Sequence, residues 1–254
     1  MMDDLSLLDL AADLAERAGA EIRTIRDRGF KVHRKADHSD VTEADHAAEA
    51  IILAGLRQAL AGCSVVAEEE VAGGKLTAAT PEFWLVDPLD GTREFTSGGD
   101  DFAVNIGLVR DGQPVLGVVG VPATGEIFGG IVGVGAWRSK AGMRTRIAAR
   151  TPPPDGLTVV ASRHHGDQAR LDAFLAGRTV RQVVNFGSSL KFCRLAEGQA
   201  DLYPRFGRTM EWDTCAPHAV LLAAGGSVET LDGKPLRYGK PGWDNPHFIC
   251  WGAR

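Results

Sequence analysis

The first sixty residues carry apolar side chains at the spacing of two amphipathic helices. Residues recurring three or four positions apart predict a helix over 5–27 that ends before Gly29. A second helical pattern follows Thr42, whose hydroxyl can cap it. Asp45 falls in the first turn of this second helix, where a carboxylate interacts favourably with the helix dipole.

The next part of the chain has the pattern of a sheet. Short apolar runs at 63–67 and 83–87 predict buried strands. Residues 102–138 contain further strand runs, separated by turn sequences at 111–112 and 124–125. Helices followed by such a meander predict an α+β arrangement with an antiparallel sheet.

The segment TPPPDG at 151–156 interrupts any regular element, and the pattern changes after it. We therefore predict an N-terminal α+β subdomain over 1–150 and a C-terminal α/β subdomain over 151–254. In the second subdomain the pattern predicts strands near 157–162, 179–185 and 200–205, helices near 167–176 and 189–197, and a last helix from Trp212-Asp213.

Composition narrows the class of protein. The chain has 254 residues, 44% of them hydrophobic, and a net charge of −5 without a basic block, which disfavours a nucleic-acid polymer as partner. No signal sequence or long apolar run appears, so we expect a cytoplasmic protein without stable membrane insertion. The scattered cysteines predict free buried thiols in a reducing compartment and no structural zinc site; they are Cys63, Cys193, Cys215 and Cys250.

The main chemical motif is the segment DPLDGT at 87–92, which follows a predicted buried strand. Mg²⁺ prefers oxygen ligands, and Asp87, Asp90 and the carbonyl of Leu89 can converge on neighbouring ions because the intervening proline favours a bend. The two amides that follow can hold a phosphate oxygen. The same segment is equally compatible with a simple Asp-Pro turn and a capped helix.

Two further acidic positions have a structural and a functional interpretation. Glu68 and Glu69 follow an apolar run and are typical of a solvated face, but they would join the same metal cluster if that strand ends beside Asp87. Asp213 lies where the last helix is predicted to begin, and its simplest role there is that of an N-cap.

Taken together, these segments resemble the inositol monophosphatase superfamily of lithium-sensitive, Mg²⁺-dependent phosphatases over nearly the whole chain. The matching motifs are Val41-Thr42-x-x-Asp45, Glu68-Glu69, the segment 87–92 and Trp212-Asp213. Longer segments are similar to the CysQ-type 3'(2'),5'-bisphosphate nucleotidases of that superfamily: GSSLKFC at 187–193, AEGQADLYPRFG at 196–207 and GKPL at 233–236. The resemblance implies a layered α-β-α-β-α sandwich of the sugar-phosphatase type.

The resemblance also implies residue roles. The ligands of two or three Mg²⁺ ions would be Glu68, Asp87, Asp90, Asp213 and the carbonyl of Leu89. The catalytic groups would be Asp45, Glu69 and Thr92, with Thr92 hydrogen-bonded to Asp45 and positioning a metal-activated water. The substrate contacts would be Gly91, Thr92, Ser162, His165, Gly187, Ser188, Lys191 and Asp213. One departure is Ala67, since relatives often have Ser or Gly before the glutamate pair.

A bisphosphate substrate needs a cation for its second phosphate, and Lys191 is the leading candidate, although an ordinary exposed helix lysine is the alternative. Arg205 and Arg208 are secondary candidates that could equally be surface arginines. His164 is expected to face solvent, because adjacent histidines do not share a helix face and Mg²⁺ favours oxygen.

The expected function is Mg²⁺-dependent hydrolysis of the 3'-phosphate of adenosine 3',5'-bisphosphate (PAP) to AMP and phosphate, with the sulfated analogue PAPS as a further substrate. One alternative is an inositol-1-phosphate or sugar monophosphatase of the same superfamily. Another is a non-catalytic nucleotide or metal sensor. The sequence leaves open whether the protein is a monomer or a homodimer, and the resemblance leaves open a peripheral association with the inner membrane.

Overall fold

The computed structural model describes residues 2–35, 39–75, 78–163 and 167–253. The helices of these residues are α1 (Asp4–Arg28), α2 (Glu43–Ala59), α3 (Glu68–Ala72), α4 (Thr92–Thr96), α5 (Gln168–Leu175), α6 (Leu190–Ala196) and α7 (Glu211–Ala223). The strands are β1 (Val32–Arg34), β2 (Asp40–Thr42), β3 (Val65–Ala67), β4 (Glu82–Asp90), β5 (Ala103–Arg110), β6 (Gln113–Val121), β7 (Glu126–Ile131), β8 (Gly135–Lys140), β9 (Met143–Ile147), β10 (Leu157–Ser162), β11 (Val180–Phe186), β12 (Leu202–Arg205), β13 (Ser227–Thr230) and β14 (Phe248–Trp251).

The two N-terminal helices agree with the hydrophobic pattern. Helix α1 ends at Arg28, and Gly29 follows with a positive φ of 83°, a conformation that glycine adopts without strain. Thr42 is the N-cap of α2, and its hydroxyl accepts a hydrogen bond from the amide of Ala44 at 3.1 Å. The end of α1 and the start of α2 therefore follow from the local sequence.

A seven-stranded sheet has the order β3-β4-β5-β6-β7-β8-β9. Its ladders are antiparallel as predicted, except that β3 runs parallel to β4. The prediction of an antiparallel sheet was wrong for this pair, because α3 and the segment after it return the chain to the start of β4. A two-residue turn at 111–112 joins β5 to β6, with positive φ at Asp111 and Gly112.

The second large sheet has the order β11-β10-β12-β14-β13. Strand β10 is parallel to both of its neighbours, in agreement with the predicted α/β alternation, but β12, β14 and β13 pair antiparallel. The second half is therefore mixed rather than purely α/β. Residues 151–156 form neither helix nor strand. Strands β1 and β2 form a separate two-stranded hairpin.

The two halves of the chain share one hydrophobic core. Helices α1 and α2 cover one face of the seven-stranded sheet, and α7 packs on its other face, against β5 and β6. A Cβ at Gly117 would lie 2.2 Å from the carbonyl oxygen of Ala216, so glycine is required for this close approach. With the second sheet beyond α6 and α7, the first four layers of the predicted α-β-α-β-α sandwich follow in order, and the largely exposed α5 lies outside the shared core.

All four cysteines are free thiols, as predicted; Cys193, Cys215 and Cys250 are buried, and Cys63 is partly exposed. Among the helices of the described residues, none combines the length and the hydropathy that crossing a membrane requires.

Candidate active site

The motif segment 87–92 lies at a β-bulge. Strand β4 extends to Asp90, three residues beyond its predicted end, and its pairing with β5 shifts register between Asp87 and Asp90. A bulge suits Pro88, which has no amide hydrogen to donate to a ladder. The side chain of Asp87 accepts a hydrogen bond from the amide of Leu89 at 3.0 Å, which closes a tight turn within the bulge.

Gly91 links this bulge to helix α4. Its φ of 94° and ψ of 36° are left-handed, and a Cβ there would lie 2.9 Å from the carbonyl oxygen of Asp101. Both facts require glycine. The turn at Gly91 places the start of α4, at Thr92, one residue after Asp90.

Thr92 and Asp45 are hydrogen-bonded, as the resemblance implies. The hydroxyl of Thr92 lies 3.0 Å from Asp45 Oδ1 and 3.1 Å from the carbonyl oxygen of Leu89. Asp45 Oδ2 accepts hydrogen bonds from the amide and the hydroxyl of Thr42, at 2.7 and 2.8 Å, which fixes the carboxylate. Asp45 is 2% exposed, and this burial is the main reason that its pKa is raised.

Glu68 and Glu69 begin helix α3, and both accept hydrogen bonds from the ammonium group of Lys35. The ammonium of Lys35 donates to Glu68 Oε1 at 2.7 Å and to Glu69 Oε1 at 2.6 Å. Burial, and then the charge of Glu68, raise the pKa of Glu69 to about 7, although Lys35 opposes that shift. The interpretation of these glutamates as a solvated face is therefore wrong for Glu69, which is 8% exposed.

The predicted metal ligands form one electrostatic cluster. Burial, and then the charges of Glu68, Asp90 and Asp213, raise the pKa of Asp87 well above its ordinary value. The pKa of Asp213 is raised in the same way, by burial and by Asp90 and Glu68. Across the parts of the chain that the structure describes, no three carboxylate, imidazole or thiol side chains already stand at the spacing of a closed metal site. The donor set of buried and half-buried, mutually repelling carboxylates nevertheless suits a hard divalent cation.

Asp213 occupies the third position of α7 rather than its N-cap. The helix begins at Glu211, the N-cap is Met210, and the amide of Met210 donates to Asp213 Oδ2 at 2.9 Å. One carboxylate oxygen thus holds the helix start. Glu211 also accepts from the amide of Lys240, at 2.9 Å, so the start of α7 is anchored from two sides.

Asp90 is tied to the second half of the chain. Its Oδ2 accepts from the amide of Ser189 and lies 3.4 Å from the side-chain amide nitrogen of Asn105. The hydroxyl of Ser189 in turn donates to Asn105 Oδ1 at 2.8 Å. Asn105 is fully buried. This network connects the predicted metal cluster to the residues immediately before Lys191.

A cavity of about 520 Å³ opens on this cluster. The predicted site residues that line it are Glu68, Asp90, Gly91, Thr92, Ser162, Ser188, Lys191 and Asp213. The predicted residues Asp45, Glu69, Asp87, Leu89 and Gly187 are not among the lining residues. The amide of Gly187 donates to Asp101 Oδ2 at 3.0 Å. The predicted contact His165, like His164, lies outside the described residues.

Two cationic side chains, Lys191 and Arg205, line the same cavity. Lys191 is 4% exposed, and its ammonium donates to the carbonyl oxygens of Phe186 and Ser188. Burial lowers the pKa of Lys191 to about 8. Arg205 is 8% exposed, and its Nε has no hydrogen-bond partner within the described structure. Lys191 is thus not the exposed helix lysine of the alternative interpretation, and Arg205 is not a surface arginine.

Sequence reasoning missed three residues of this site: Lys35, Asn105 and Ser189. Asn105 left a signal, since it is the single amide within the apolar strand β5. Lys35 left none, because its partners lie more than thirty positions away in the chain. Arg208, left open as a secondary candidate, lines the cavity and pairs with Asp244 at 2.6 Å.

The fold and the site can now be compared with known proteins. The model of the inositol monophosphatase family matches residues 3–247. This chain belongs to the inositol monophosphatase family. Members of the family are metal-dependent phosphatases, generally with Mg²⁺. The expected family and fold are confirmed.

Individual relatives give further detail. The 3'(2'),5'-bisphosphate nucleotidase CysQ of Escherichia coli (strain K12) is 44% identical over 234 residues, which cover 91% of this chain and 94% of that protein. The crystal structure of CysQ from Bacteroides thetaiotaomicron superposes with a TM-score of 0.83 at 35% identity, over 98% of each chain. An inositol monophosphatase from Anabaena (Nostoc) has a TM-score of 0.77 at 27% identity, over 98% of this chain and 91% of the other.

Proposed function

We propose that this family member hydrolyses the 3'-phosphate of PAP, giving AMP and inorganic phosphate, and that it acts on PAPS at the same bond. The observation that carries the proposal is a single cavity lined both by acidic side chains of the cluster and by two buried cations, Lys191 and Arg205. The similarity to proteins named 3'(2'),5'-bisphosphate nucleotidase over more than nine-tenths of the chain supports it.

Two or three Mg²⁺ ions are part of this proposal. Glu68, Asp87, Asp90, Asp213 and the carbonyl of Leu89 would hold them. When bound, Mg²⁺ makes water more acidic and compensates the charge of the phosphoryl oxygens. The mutual repulsion that raises the pKa values of Asp87 and Asp213 supports the assignment, because a cation would relieve it.

The protein's own contribution is to orient and deprotonate water. When Thr92 donates its single hydroxyl hydrogen to Asp45, its lone pairs are left to accept a hydrogen bond from a water molecule. Glu69 would accept a proton from this water, a role that the family resemblance implies for it. The amides of Gly91 and Thr92, at the first turn of α4, would bind the oxygens of the phosphoryl group.

A second phosphate on the substrate would account for the two cations of the cavity, Lys191 and Arg205. Lys191 and Arg205 bring two positive charges into a site where a monophosphate would need none beyond the metal. The aromatic ring of Tyr203, whose centroid lies 5.4 Å from Lys191 Nζ, adds an apolar surface beside them. A nucleoside bisphosphate has a second anionic phosphate that suits these two cations and an apolar face that suits the ring of Tyr203.

Steady-state kinetics with purified protein at fixed Mg²⁺ tests the assignment. We expect kcat/KM for PAP to exceed the values for inositol 1-phosphate and fructose 1,6-bisphosphate by at least about 100-fold, the factor expected for ~3 kcal/mol of charged contacts. Faster hydrolysis of inositol 1-phosphate would instead assign an inositol monophosphatase. Binding of PAP without turnover of any of these phosphate esters would instead favour a non-catalytic nucleotide or metal sensor.

Replacing Lys191 tests its role separately. Lys191→Met should raise KM for PAP about 10- to 100-fold and leave kcat within a few fold, because a charge-assisted hydrogen bond contributes roughly 1.5–3 kcal/mol. Hydrolysis of inositol 1-phosphate, measured in the same preparation, should not change. Lys140→Met, on β8 and 60% exposed, is the matched control and should leave both substrates unaffected. Equal losses on both substrates would contradict the assigned role.

A further inference from the structure

The helix that carries Glu68 and Glu69 has no cap of its own. Helix α3 is preceded by Ala67, whose side chain makes no capping hydrogen bond. The first amides of a helix have no partner inside it, and a Ser, Thr, Asp or Asn at the N-cap normally satisfies one of them. The orientation of α3 therefore depends on a group from elsewhere in the chain.

That group is Glu49, on helix α2. Its Oε2 accepts a hydrogen bond from the amide of Glu69 at 2.8 Å, and it also interacts with the amide of Glu70. Glu49 is 6% exposed, so it lies within the protein rather than at the mouth of the cavity. It supplies the cap that Ala67 cannot supply.

Helix α2 thereby holds two parts of the site at a fixed spacing. Glu49 follows Asp45 by four residues, which places both carboxylates on the same face of the helix. Asp45 holds the hydroxyl of Thr92, and Glu49 holds the amide that follows Glu68 in the chain. A single rigid element thus sets the distance between the start of α4 and the start of α3.

We propose that Glu49 is a positioning residue: by capping α3 it fixes the direction in which Glu68 and Glu69 approach the phosphate and its metal ions. This proposal rests on the proposed metal-dependent phosphatase. Glu49 is not among the residues that line the cavity, and in this proposal it acts through the backbone of α3.

Calorimetric titration of chelator-treated protein with Mg²⁺ alone, without substrate, tests the proposal. Glu49→Met keeps the length of the side chain and removes the acceptor, and we expect it to weaken Mg²⁺ binding about 10-fold. Glu49→Gln keeps an acceptor oxygen, so its affinity should stay within about threefold of the unmodified protein. In kinetics, Glu49→Met should raise the Mg²⁺ concentration for half-maximal rate, while KM for PAP at saturating Mg²⁺ stays unchanged.

Glu126→Met is the matched control, because Glu126 is 4% exposed and makes its ion pair with Arg138, away from the cavity. It should leave Mg²⁺ binding unchanged even if the protein unfolds at a lower temperature. The proposal is overturned if Glu49→Met binds Mg²⁺ as the unmodified protein does, or if Glu49→Gln loses as much affinity as Glu49→Met. Intact Mg²⁺ binding with no hydrolysis of PAP by the unmodified protein would overturn the proposed function instead.

Discussion

Replacing Asp87 by asparagine is expected to lower kcat for PAP about 1,000-fold and to stabilise the metal-free protein. Asparagine has nearly the same shape, and its side-chain oxygen can still accept from the amide of Leu89. The loss of rate follows because a ligand charge is removed from the metal cluster, where Lewis-acid stabilisation contributes several kcal/mol.

The expected gain in stability has a different cause, namely the loss of charge repulsion in the metal-free protein. The pKa of Asp87 is higher in the folded protein than its ordinary value, because of burial and three neighbouring carboxylates. A carboxyl group with a raised pKa destabilises the fold as pH rises from about 3.9, its value in the unfolded chain, through the folded value. At pH 7, in the presence of a chelator, Asp87→Asn should therefore raise Tm by roughly 2–4 °C, which corresponds to about 1 kcal/mol.

A matched control separates these effects from a general response to asparagine. Asp201 is also fully buried, but Arg150 neutralises it at 2.8 Å and the amide of Thr158 donates to it at 2.7 Å. Asp201→Asn should lower Tm and leave kcat nearly unchanged. If Asp87→Asn lowers Tm in the presence of chelator, or retains more than about a tenth of the rate, the assignment of Asp87 to a charge-repelling metal cluster is wrong.

Thr92→Val is also expected to have a large effect, a fall in kcat of about 100- to 10,000-fold with little change in KM. Valine has the shape of threonine without the hydroxyl that links Asp45 to the carbonyl oxygen of Leu89. Positioned proton transfer contributes a factor of this size. Rate measurements at saturating Mg²⁺ and PAP check it.

Two further variants serve as controls for this result. Thr92→Ser keeps a hydroxyl and should recover most of the rate. Thr96→Val removes a hydroxyl from the same helix, where it donates only to the carbonyl oxygen of Arg93, and should behave as the unmodified protein. A Thr92→Val enzyme with nearly full kcat would show that this hydroxyl does not take part in activating water.

Much of the fold could be predicted from the sequence, because its elements are encoded locally. Helices α1 and α2 follow from apolar periodicity and from the Thr42 cap, and the turn at 111–112 follows from its Asp-Gly pair. Strands β13 and β14 were not predicted. Each has only four residues, too few for an alternating pattern to stand out, and their pairing depends on residues far along the chain.

Contacts within the candidate site were predictable where the family resemblance implied them and unpredictable where only packing brings the residues together. The bond between Thr92 and Asp45 joins residues 47 positions apart, and the family resemblance implied it. The contact of Asp90 with the amide of Ser189 spans 99 positions and has no sequence motif of its own. The capping of α3 by Glu49 was unpredictable for the same reason, because the sequence of α2 predicts only an amphipathic helix.

The most direct test of the proposed function is ³¹P NMR of PAP hydrolysis in ¹⁸O-enriched water, with Mg²⁺ and with a chelator. We expect AMP that retains its 5'-phosphate, an equal amount of inorganic phosphate carrying the ¹⁸O label, and no reaction when the chelator is present. Release of the 5'-phosphate to give adenosine 3'-phosphate, label in the nucleoside product, or an undiminished rate with the chelator would contradict a metal-dependent 3'-phosphatase.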